Sequence, residues 1–170
     1  KLAHEKFEVL KAEHTLLQSV VGFALHQGVF AIGVRPQNVE LENLGDRIVG
    51  LNRVINPENI GSIVRCAIPL GHSSLIADEN SGDPYLRRSV RVSMGDVFEL
   101  KVHSTQDGVE TLLDLKSRGF VIIGSDFKSS TVNLPDFKFT PRYVLIIGSE
   151  VHGMSPEVQK VCDVVINIPT

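Results

Sequence analysis

Three segments of the chain place glycine beside amide, acidic or basic side chains at the point where an apolar stretch ends. They are residues 52–65, 124–126 and 148–153. Side chains of these types bind polar and anionic ligands through charge-assisted hydrogen bonds. In an open parallel sheet, ligands bind beyond the carboxyl ends of the strands. If the apolar stretches are strands of one such sheet, these three segments are where a binding site is expected.

Residues 148–153, Gly-Ser-Glu-Val-His-Gly, have the glycine spacing of a phosphate-binding loop, but Met154 and Ser155 stand where that loop has Lys and Ser or Thr. A nucleoside triphosphatase is therefore disfavoured. The segment lacks G-x-S-x-G, and no G-x-G-x-x-G follows an apolar stretch, which disfavours hydrolases and dinucleotide-binding folds. A turn between a strand and a helix would explain the glycines. It would not explain Glu150, because an acid at the end of an apolar strand needs a partner.

The first segment combines a strand end with a helix start. Asn56 or Asn59 can cap a helix, and Gly61 permits close approach of another backbone. Arg65 follows on an otherwise apolar helix. An arginine in such a helix more often extends its charged end into solvent than takes part in a binding site. Asn52 and Arg53 precede the helix at the strand end. Amides and a guanidinium that converge at one sheet edge would suit an anionic or polar ligand.

A cluster of arginines follows the second apolar stretch. Asp83 and Pro84 are expected to open a helix that carries Arg87, Arg88 and Arg91. Arginines four residues apart share one helical face and repel each other, so an anion should compensate them. A phosphate backbone would do so. A solvated run of charges is the commoner alternative.

Composition and charge limit the classes of protein. The chain has 170 residues, 42% of them hydrophobic, and a formal net charge of −3. This charge disfavours a protein that coats nucleic acid non-specifically. No apolar run reaches the roughly 20 residues of a membrane helix. Neither Cys66 and Cys162 nor the six histidines have metal-ligand spacing; we expect two reduced core cysteines, no metal and no catalytic histidine. The N-terminal residues do not resemble a secretory signal, which favours the cytoplasm, or an organellar matrix if a targeting segment has been removed.

Apolar stretches alternate with helical patterns after residue 46. Strands are expected at residues 48–54, 73–79, 97–104, 120–126, 142–150 and 163–169, and helices at 59–71, from 83, at 105–119 and at 155–162. Pro69 is expected to bend or end the first of these helices. This alternation predicts an α/β fold with a parallel sheet covered by helices on both faces. Residues 5–24 have helical spacing, and residues 1–35 fall outside the alternation, as the tail of a separate domain would.

Taken together, these segments resemble the SpoU-type (TrmH-like) RNA 2′-O-ribose methyltransferases of the SPOUT superfamily. Residues 59–65, Asn-Ile-Gly-Ser-Ile-Val-Arg, resemble the family's first motif, and residues 88–95 its R-x-S-x-G region. Residues 147–155, followed by Asp163 and Ile168-Pro169, resemble its second motif. Residues 26–29 are similar to the end of a small ribosomal-protein-like domain that often precedes this fold. Several motifs in the family's order make the resemblance specific.

The resemblance implies an α/β-knot fold that binds S-adenosylmethionine in a deep trefoil knot and methylates a ribose 2′-hydroxyl of structured rRNA or tRNA, usually as a homodimer. Neither a membrane nor a metal is implied. Arg65 would activate the hydroxyl, while Asn59 and Glu150 would shape the catalytic site. Carried over residue by residue, the cofactor would contact Gly124, Ser125, Gly148, Ser149 and Ile168. With RNA as the substrate, the anion expected beside Arg87, Arg88 and Arg91 would be RNA.

The resemblance also sets expectations for domain organisation. Residues 1–36 would be the C-terminal part of an N-terminal, RNA-recognising α+β domain plus the start of a linker, and residues 37–170 the methyltransferase domain. The family's third motif should follow Pro169, so we expect the protein to continue into a C-terminal knot segment that this sequence lacks. The alternative is a catalytically inactive SPOUT-fold module for RNA binding or dimerisation, which the sequence after Thr170 would distinguish. A small-molecule enzyme on a flavodoxin-like sheet would leave the motif order unexplained.

Overall fold

A computed structural model describes residues 8–25, 28–126 and 131–169. The chain forms two compact units, Lys1–Arg35 and Pro36–Thr170. In the first unit the described residues contain helix α1, His14–Val21, which ends at Gly22 in the left-handed conformation (φ 72°). This helix is shorter than the predicted 5–24, part of which lies outside the described residues. His26 and Gln27, where the resemblance to a preceding domain begins, also lie outside them.

The second unit is built on a parallel sheet. Its strands in the described residues are β1 Arg47–Asn52, β2 Ser74–Ala77, β3 Lys101–Ser104, β4 Val121–Ser125, β5 Val132–Asn133, β6 Tyr143–Gly148 and β7 Val164–Asn167. They lie in the order β3-β2-β1-β6-β4-β7-β5, and all neighbours are parallel. The predicted parallel sheet is therefore confirmed, and the two-residue β5 is an addition to it.

Helices cover both faces of this sheet, as predicted. They are α2 Pro57–Ala67, α3 Arg87–Val92, α4 Gly108–Ser117 and α5 Pro156–Val161. Successive side chains of a strand point to opposite faces. Accordingly Ile48 of β1 packs with Leu115 of α4 and Val158 of α5, whereas its neighbour Val49 packs with Ile60 and Val64 of α2.

Side-chain caps start the helices that follow the strands. The Asn56 side chain accepts a hydrogen bond from the Glu58 amide (2.9 Å) at the start of α2. Asp107 accepts one from the Glu110 amide (2.9 Å) at the start of α4. Such caps satisfy amides that have no partner within the helix. They fix where each strand-to-helix connection ends, and these connections surround the carboxyl edge of the sheet.

In the second unit, two predicted helix boundaries and one strand boundary differ from the structure by four residues, and other boundaries differ by up to three. Asp83 and Pro84 do not open α3, because the Asp83 carboxylate accepts the Tyr85 amide (2.9 Å) in a turn, and the helix begins at Arg87. Helix α2 ends at Ala67 rather than at residue 71, before Pro69. Residues 96–98 form a 3₁₀ turn, so β3 begins only at Lys101.

Gly61 lies where α2 crosses α3, and it confirms the expectation of close approach. A Cβ atom at this position would lie 2.7 Å from the Val92 Cβ and 2.8 Å from the Ser89 carbonyl oxygen. We expect Gly61→Ala to lower the free energy of unfolding by about 1–3 kcal/mol, the usual cost of overpacking. Urea unfolding would measure it. The matched control is Ser62→Ala on the exposed face of the same helix, and an equal, small effect of both changes would contradict the prediction.

Candidate active site

The carboxyl ends of β4, β6 and β7 surround an open cavity of about 540 Å³, which we call the strand-end cavity. Five residues predicted for the site line it: Ser125, Gly148, Ser149, Glu150 and Ile168. Asp126, Ile147 and Ile166 also line it, as do residues 151–153. The cavity thus combines apolar side chains from the strands with polar groups from the loops. Its volume lies in the range of small-molecule and cofactor sites.

A closed loop after β6 forms one wall of this cavity. The Ser149 amide donates to the Gly153 carbonyl (3.1 Å), and the Gly153 amide donates to the Ser149 carbonyl (2.7 Å). Gly153 has a left-handed backbone (φ 67°). A Cβ atom at Gly148 would lie 2.5 Å from the Gly153 carbonyl carbon. The glycines at 148 and 153 are therefore required by this loop.

Asn59 and Glu150 meet at the rim of the cavity. The Asn59 side-chain amide donates a hydrogen bond to Glu150 Oε1 and so ties the start of α2 to the loop after β6. Glu150 is exposed, so it keeps contact with solvent as well as a polar partner. The partner that the sequence required for this acid is thus Asn59, which lies 91 residues earlier in the chain.

A buried Asn52–Asp78 pair holds the end of β1. The Asn52 side chain donates to Asp78 Oδ2 (2.7 Å) and accepts from the Ser155 amide (2.7 Å). Asp78 also accepts from the Arg53 amide (3.1 Å), and Arg53 has a left-handed backbone (φ 63°). Sequence reasoning missed Asp78, although it follows an apolar strand just as Glu150 does. That signal would have found it.

A second, smaller cavity of about 240 Å³, which we call the notch, adjoins the first. It is lined by residues 53–56 after β1, by residues 149–152 after β6 and by Asn59. Residues 149–152 line both cavities, so one loop separates them. A ligand in the notch would therefore lie next to a ligand in the strand-end cavity.

Two of the residues predicted for the site lie away from these cavities. Arg65 is exposed on α2, about 9 Å along the helix axis from Asn59, and lines neither cavity. Within the described part of the chain its guanidinium has no hydrogen bond or ion pair. Gly124 is buried, and a Cβ atom there would lie 2.6 Å from Met154 Cε and 3.0 Å from Cys162 Sγ. Because Gly124 has no side chain, Met154 and Cys162 can pack against its backbone, and Gly124 is not among the residues that line the cavity.

The three arginines of α3 are all exposed. Arg88 forms an ion pair with Glu58 of α2, with Nη2 2.5 Å and Nε 3.0 Å from Oε1. The chain itself therefore supplies an anion for Arg88, which the sequence analysis assigned to RNA. Arg91 lies on the solvent side of the same helix.

The two cysteines differ from each other. Cys66 is exposed, so the expectation of a core position is wrong for it, whereas Cys162 is partly buried. Burial, helped by the nearby Asp163 carboxylate, raises the pKa of the Cys162 thiol to about 11. The thiol is thus protonated at neutral pH and unsuited to nucleophilic attack. Among residues 8–25, 28–126 and 131–169, no His, Cys, Asp or Glu group could hold a metal, and no helix is long and apolar enough to cross a membrane.

Known proteins match both the sequence and the fold. An uncharacterized tRNA/rRNA methyltransferase of Mycobacterium tuberculosis is 29% identical over 94% of this chain and 57% of the relative. A 23S rRNA (uridine(2479)-2′-O)-methyltransferase of Streptomyces viridochromogenes is 34% identical over 69% of this chain and 42% of the relative. The crystal structure of the SpoU methyltransferase AviRb from the same organism, in complex with the cofactor AdoMet, superposes with a TM-score of 0.71 at 29% identity, covering 79% of this chain and 56% of the other.

The chain thus spans about half the length of these relatives. The family model of the SpoU rRNA methylases matches residues 46–170, which is most of the chain and includes every strand described above. The resemblance drawn from the motifs is therefore confirmed, and the chain belongs to the SpoU rRNA Methylase family.

Proposed function

We propose that this protein transfers a methyl group from S-adenosylmethionine to a ribose 2′-hydroxyl of structured rRNA or tRNA. One observation carries the proposal. The strand-end cavity has the size of a cofactor site, and the loop that walls it is tied through Glu150 to Asn59, so both family motifs meet at one place. No observation favours the catalytically inactive alternative.

The strand-end cavity fits the proposed cofactor. Ile147, Ile166 and Ile168 offer apolar surface to an adenine ring, while Ser125 and Ser149 offer hydroxyls to the ribose and the amino-acid end. The carboxylate of Glu150 stands on the same cavity and suits a ligand that carries a positive charge. Gly124 would support this site from beneath rather than touch the cofactor.

The chemistry requires positioning more than acid–base strength. When bound, S-adenosylmethionine supplies an electrophilic methyl group. A ribose hydroxyl is a weak nucleophile, so holding it in line supplies much of the rate. A guanidinium group donates hydrogen bonds and accepts none, so Arg65 is not suited to act as a base. It would therefore hold a phosphate or stabilise the negative charge that develops on the hydroxyl oxygen, while the Asn59–Glu150 hydrogen bond keeps the wall of the site in place.

The position of Arg65 supports a site that two protomers complete. Arg65 lines neither cavity of its own chain, and its guanidinium has no partner among the described residues. We propose a homodimer in which Arg65 of each protomer reaches the strand-end cavity of the other. We further propose that a segment of the chain is threaded as a knot and that the protein acts in the cytoplasm. Residues 1–36 would recognise RNA, residues 37–170 would form the catalytic domain, and Arg87 and Arg91 would contact RNA.

The proposal is tested with the full-length protein, tritiated S-adenosylmethionine and bulk RNA from cells that lack the protein. We expect label in the RNA, and digestion to nucleosides should recover it as 2′-O-methyl nucleosides. Bulk RNA from wild-type cells is the control, since its target is already methylated and should accept little. Label in base-methylated nucleosides, or no label in either RNA, would overturn the proposal.

A further inference from the structure

Arg53 is held in an unfavourable backbone conformation at the mouth of the notch. A left-handed backbone (φ 63°) is rare for residues other than glycine. Three contacts with the segment after β2 enforce it: Asp78 accepts the Arg53 amide, Ser81 Oγ accepts the Val54 amide (3.1 Å), and the Gly82 amide donates to the Val54 carbonyl (2.9 Å). The surrounding structure therefore fixes where the Arg53 side chain starts.

The Arg53 guanidinium has no hydrogen bond or ion pair within the described part of the chain, although it belongs to a half-buried residue that lines the notch. By contrast, Arg88 forms an ion pair with Glu58, so a guanidinium that links two helices of this fold has a carboxylate partner. Arg53 thus combines a strained backbone, which buried polar contacts hold in place, with a guanidinium that has no partner among the described residues. Backbone strain of this kind clusters at binding and active sites.

The walls of the notch suit a flat ring. Ile55 and Val151 face it from its two sides and are 72% and 79% exposed. The notch, at about 240 Å³, has less than half the volume of the strand-end cavity, which suits a single base better than a whole nucleotide. The loop 149–152 separates the notch from the strand-end cavity, so a nucleoside whose base lies in the notch has its ribose at that shared wall.

We infer that the notch binds the base of the RNA nucleotide to be methylated, between Ile55 and Val151, and that Arg53 binds a phosphate beside that nucleotide. This inference rests on the proposed function and adds the substrate subsite to it. Arg53 is a binding residue in this account, and the strain in its backbone serves to aim it. A guanidinium recognises a phosphate through two parallel hydrogen bonds, a geometry that lysine does not reproduce.

The test compares Arg53→Gln, Arg53→Lys and Arg53→Gly with the wild-type protein. The matched control is Arg47→Gln, since Arg47 is an exposed arginine at the amino end of β1, the strand whose carboxyl end precedes Arg53. Three quantities are measured: KM for bulk RNA from cells lacking the protein, RNA affinity by filter binding across a range of salt, and affinity for S-adenosylhomocysteine by calorimetry.

We expect Arg53→Gln to raise KM for RNA and weaken RNA binding by about tenfold or more, and to reduce the salt dependence of RNA binding by about one phosphate contact. Arg53→Lys should restore part of the affinity, while Arg47→Gln should change none of it. Affinity for S-adenosylhomocysteine should stay the same in all variants. Arg53→Gly should lose RNA affinity like Arg53→Gln but melt at the same or a higher temperature, because glycine adopts this backbone without strain.

Two results would overturn the inference. One is unchanged RNA affinity in Arg53→Gln and Arg53→Gly. The other is a loss of S-adenosylhomocysteine affinity equal to the loss of RNA affinity, which would assign Arg53 to the cofactor's carboxylate. If the wild-type protein methylates no RNA, the proposed function is wrong, and the filter-binding comparison still decides whether Arg53 contacts RNA.

Discussion

Replacement of Arg65 by alanine is expected to lower methyl transfer by about 10²–10⁴-fold, the range for loss of one positioned catalytic group. Affinity for S-adenosylhomocysteine should not change, because the role proposed for Arg65 is to hold an RNA phosphate or the hydroxyl oxygen rather than the cofactor. Stability should change by no more than about 0.5 kcal/mol, as for other exposed positions. Single-turnover methylation and calorimetry on the same preparation measure the two effects.

The control for Arg65→Ala is Arg118→Ala, which removes an exposed arginine paired with Asp114 near the end of α4. That change should leave both methylation and cofactor binding intact. Loss of cofactor binding in parallel with activity in Arg65→Ala would contradict the role given to Arg65. Full activity in Arg65→Ala would remove Arg65 from the site altogether.

Gly148→Ala is expected to weaken S-adenosylhomocysteine binding by more than about tenfold. The new Cβ would lie 2.5 Å from the Gly153 carbonyl carbon, and backbone cannot move aside as a flexible side chain would. The loop 149–153 must shift, and with it the wall that both cavities share. Some loss of stability, about 1–3 kcal/mol, should accompany this overpacking. Calorimetry and urea unfolding measure the two effects.

Gly33→Ala is the matched control for Gly148→Ala, because a Cβ atom at Gly33 would meet no atom within 4 Å. It should leave cofactor affinity unchanged. Cofactor affinity equal to that of the wild type in Gly148→Ala would show that the loop tolerates displacement and would contradict the account of the wall. Far-UV circular dichroism of Gly148→Ala distinguishes a displaced loop from an unfolded domain.

Mixing the Arg65→Ala and Gly148→Ala variants tests whether the site is shared between protomers. A mixed dimer has one intact strand-end cavity, on the Arg65→Ala chain, and one intact Arg65, on the Gly148→Ala chain. If Arg65 acts on the partner's cavity, unfolding and refolding the two inactive variants together should restore part of the activity. If Arg65 acts within its own chain, no combination of these chains has a complete site, and the mixture stays inactive.

The sheet could be predicted because its strands are nearly continuous apolar runs, such as the buried stretch of β6 that begins at Tyr143. The same continuity placed the polar strand ends at one edge, so that Glu150 stood out as an acid in need of a partner. Gly61 could be interpreted from its residue type alone. Glycine weakens a helix, so its presence there indicates that another element must come close. Each of these features depends on residues that are close together in the sequence, which is why the sequence alone could predict them.

Other features depend on contacts between distant parts of the chain. The Asn52–Asp78 pair forms only because β1 and β2 align in a particular register, which spacing does not reveal. Gly124 resembled a cofactor contact, but Met154 and Cys162 pack against it from elsewhere in the fold. Asp83 satisfied the pattern of a helix cap, yet its carboxylate closes a turn instead, because both conformations offer it a backbone amide.

Mapping ribose methylation across the rRNA and tRNA of cells with and without the protein tests most directly whether the protein methylates ribose 2′-hydroxyls in RNA, as we propose. We expect one or a few ribose positions to be methylated in wild-type cells, unmethylated in cells lacking the protein, and methylated again when the wild-type gene, but not its Arg65→Ala form, is returned. Ribose methylation that is identical at every position with and without the protein would contradict the claim.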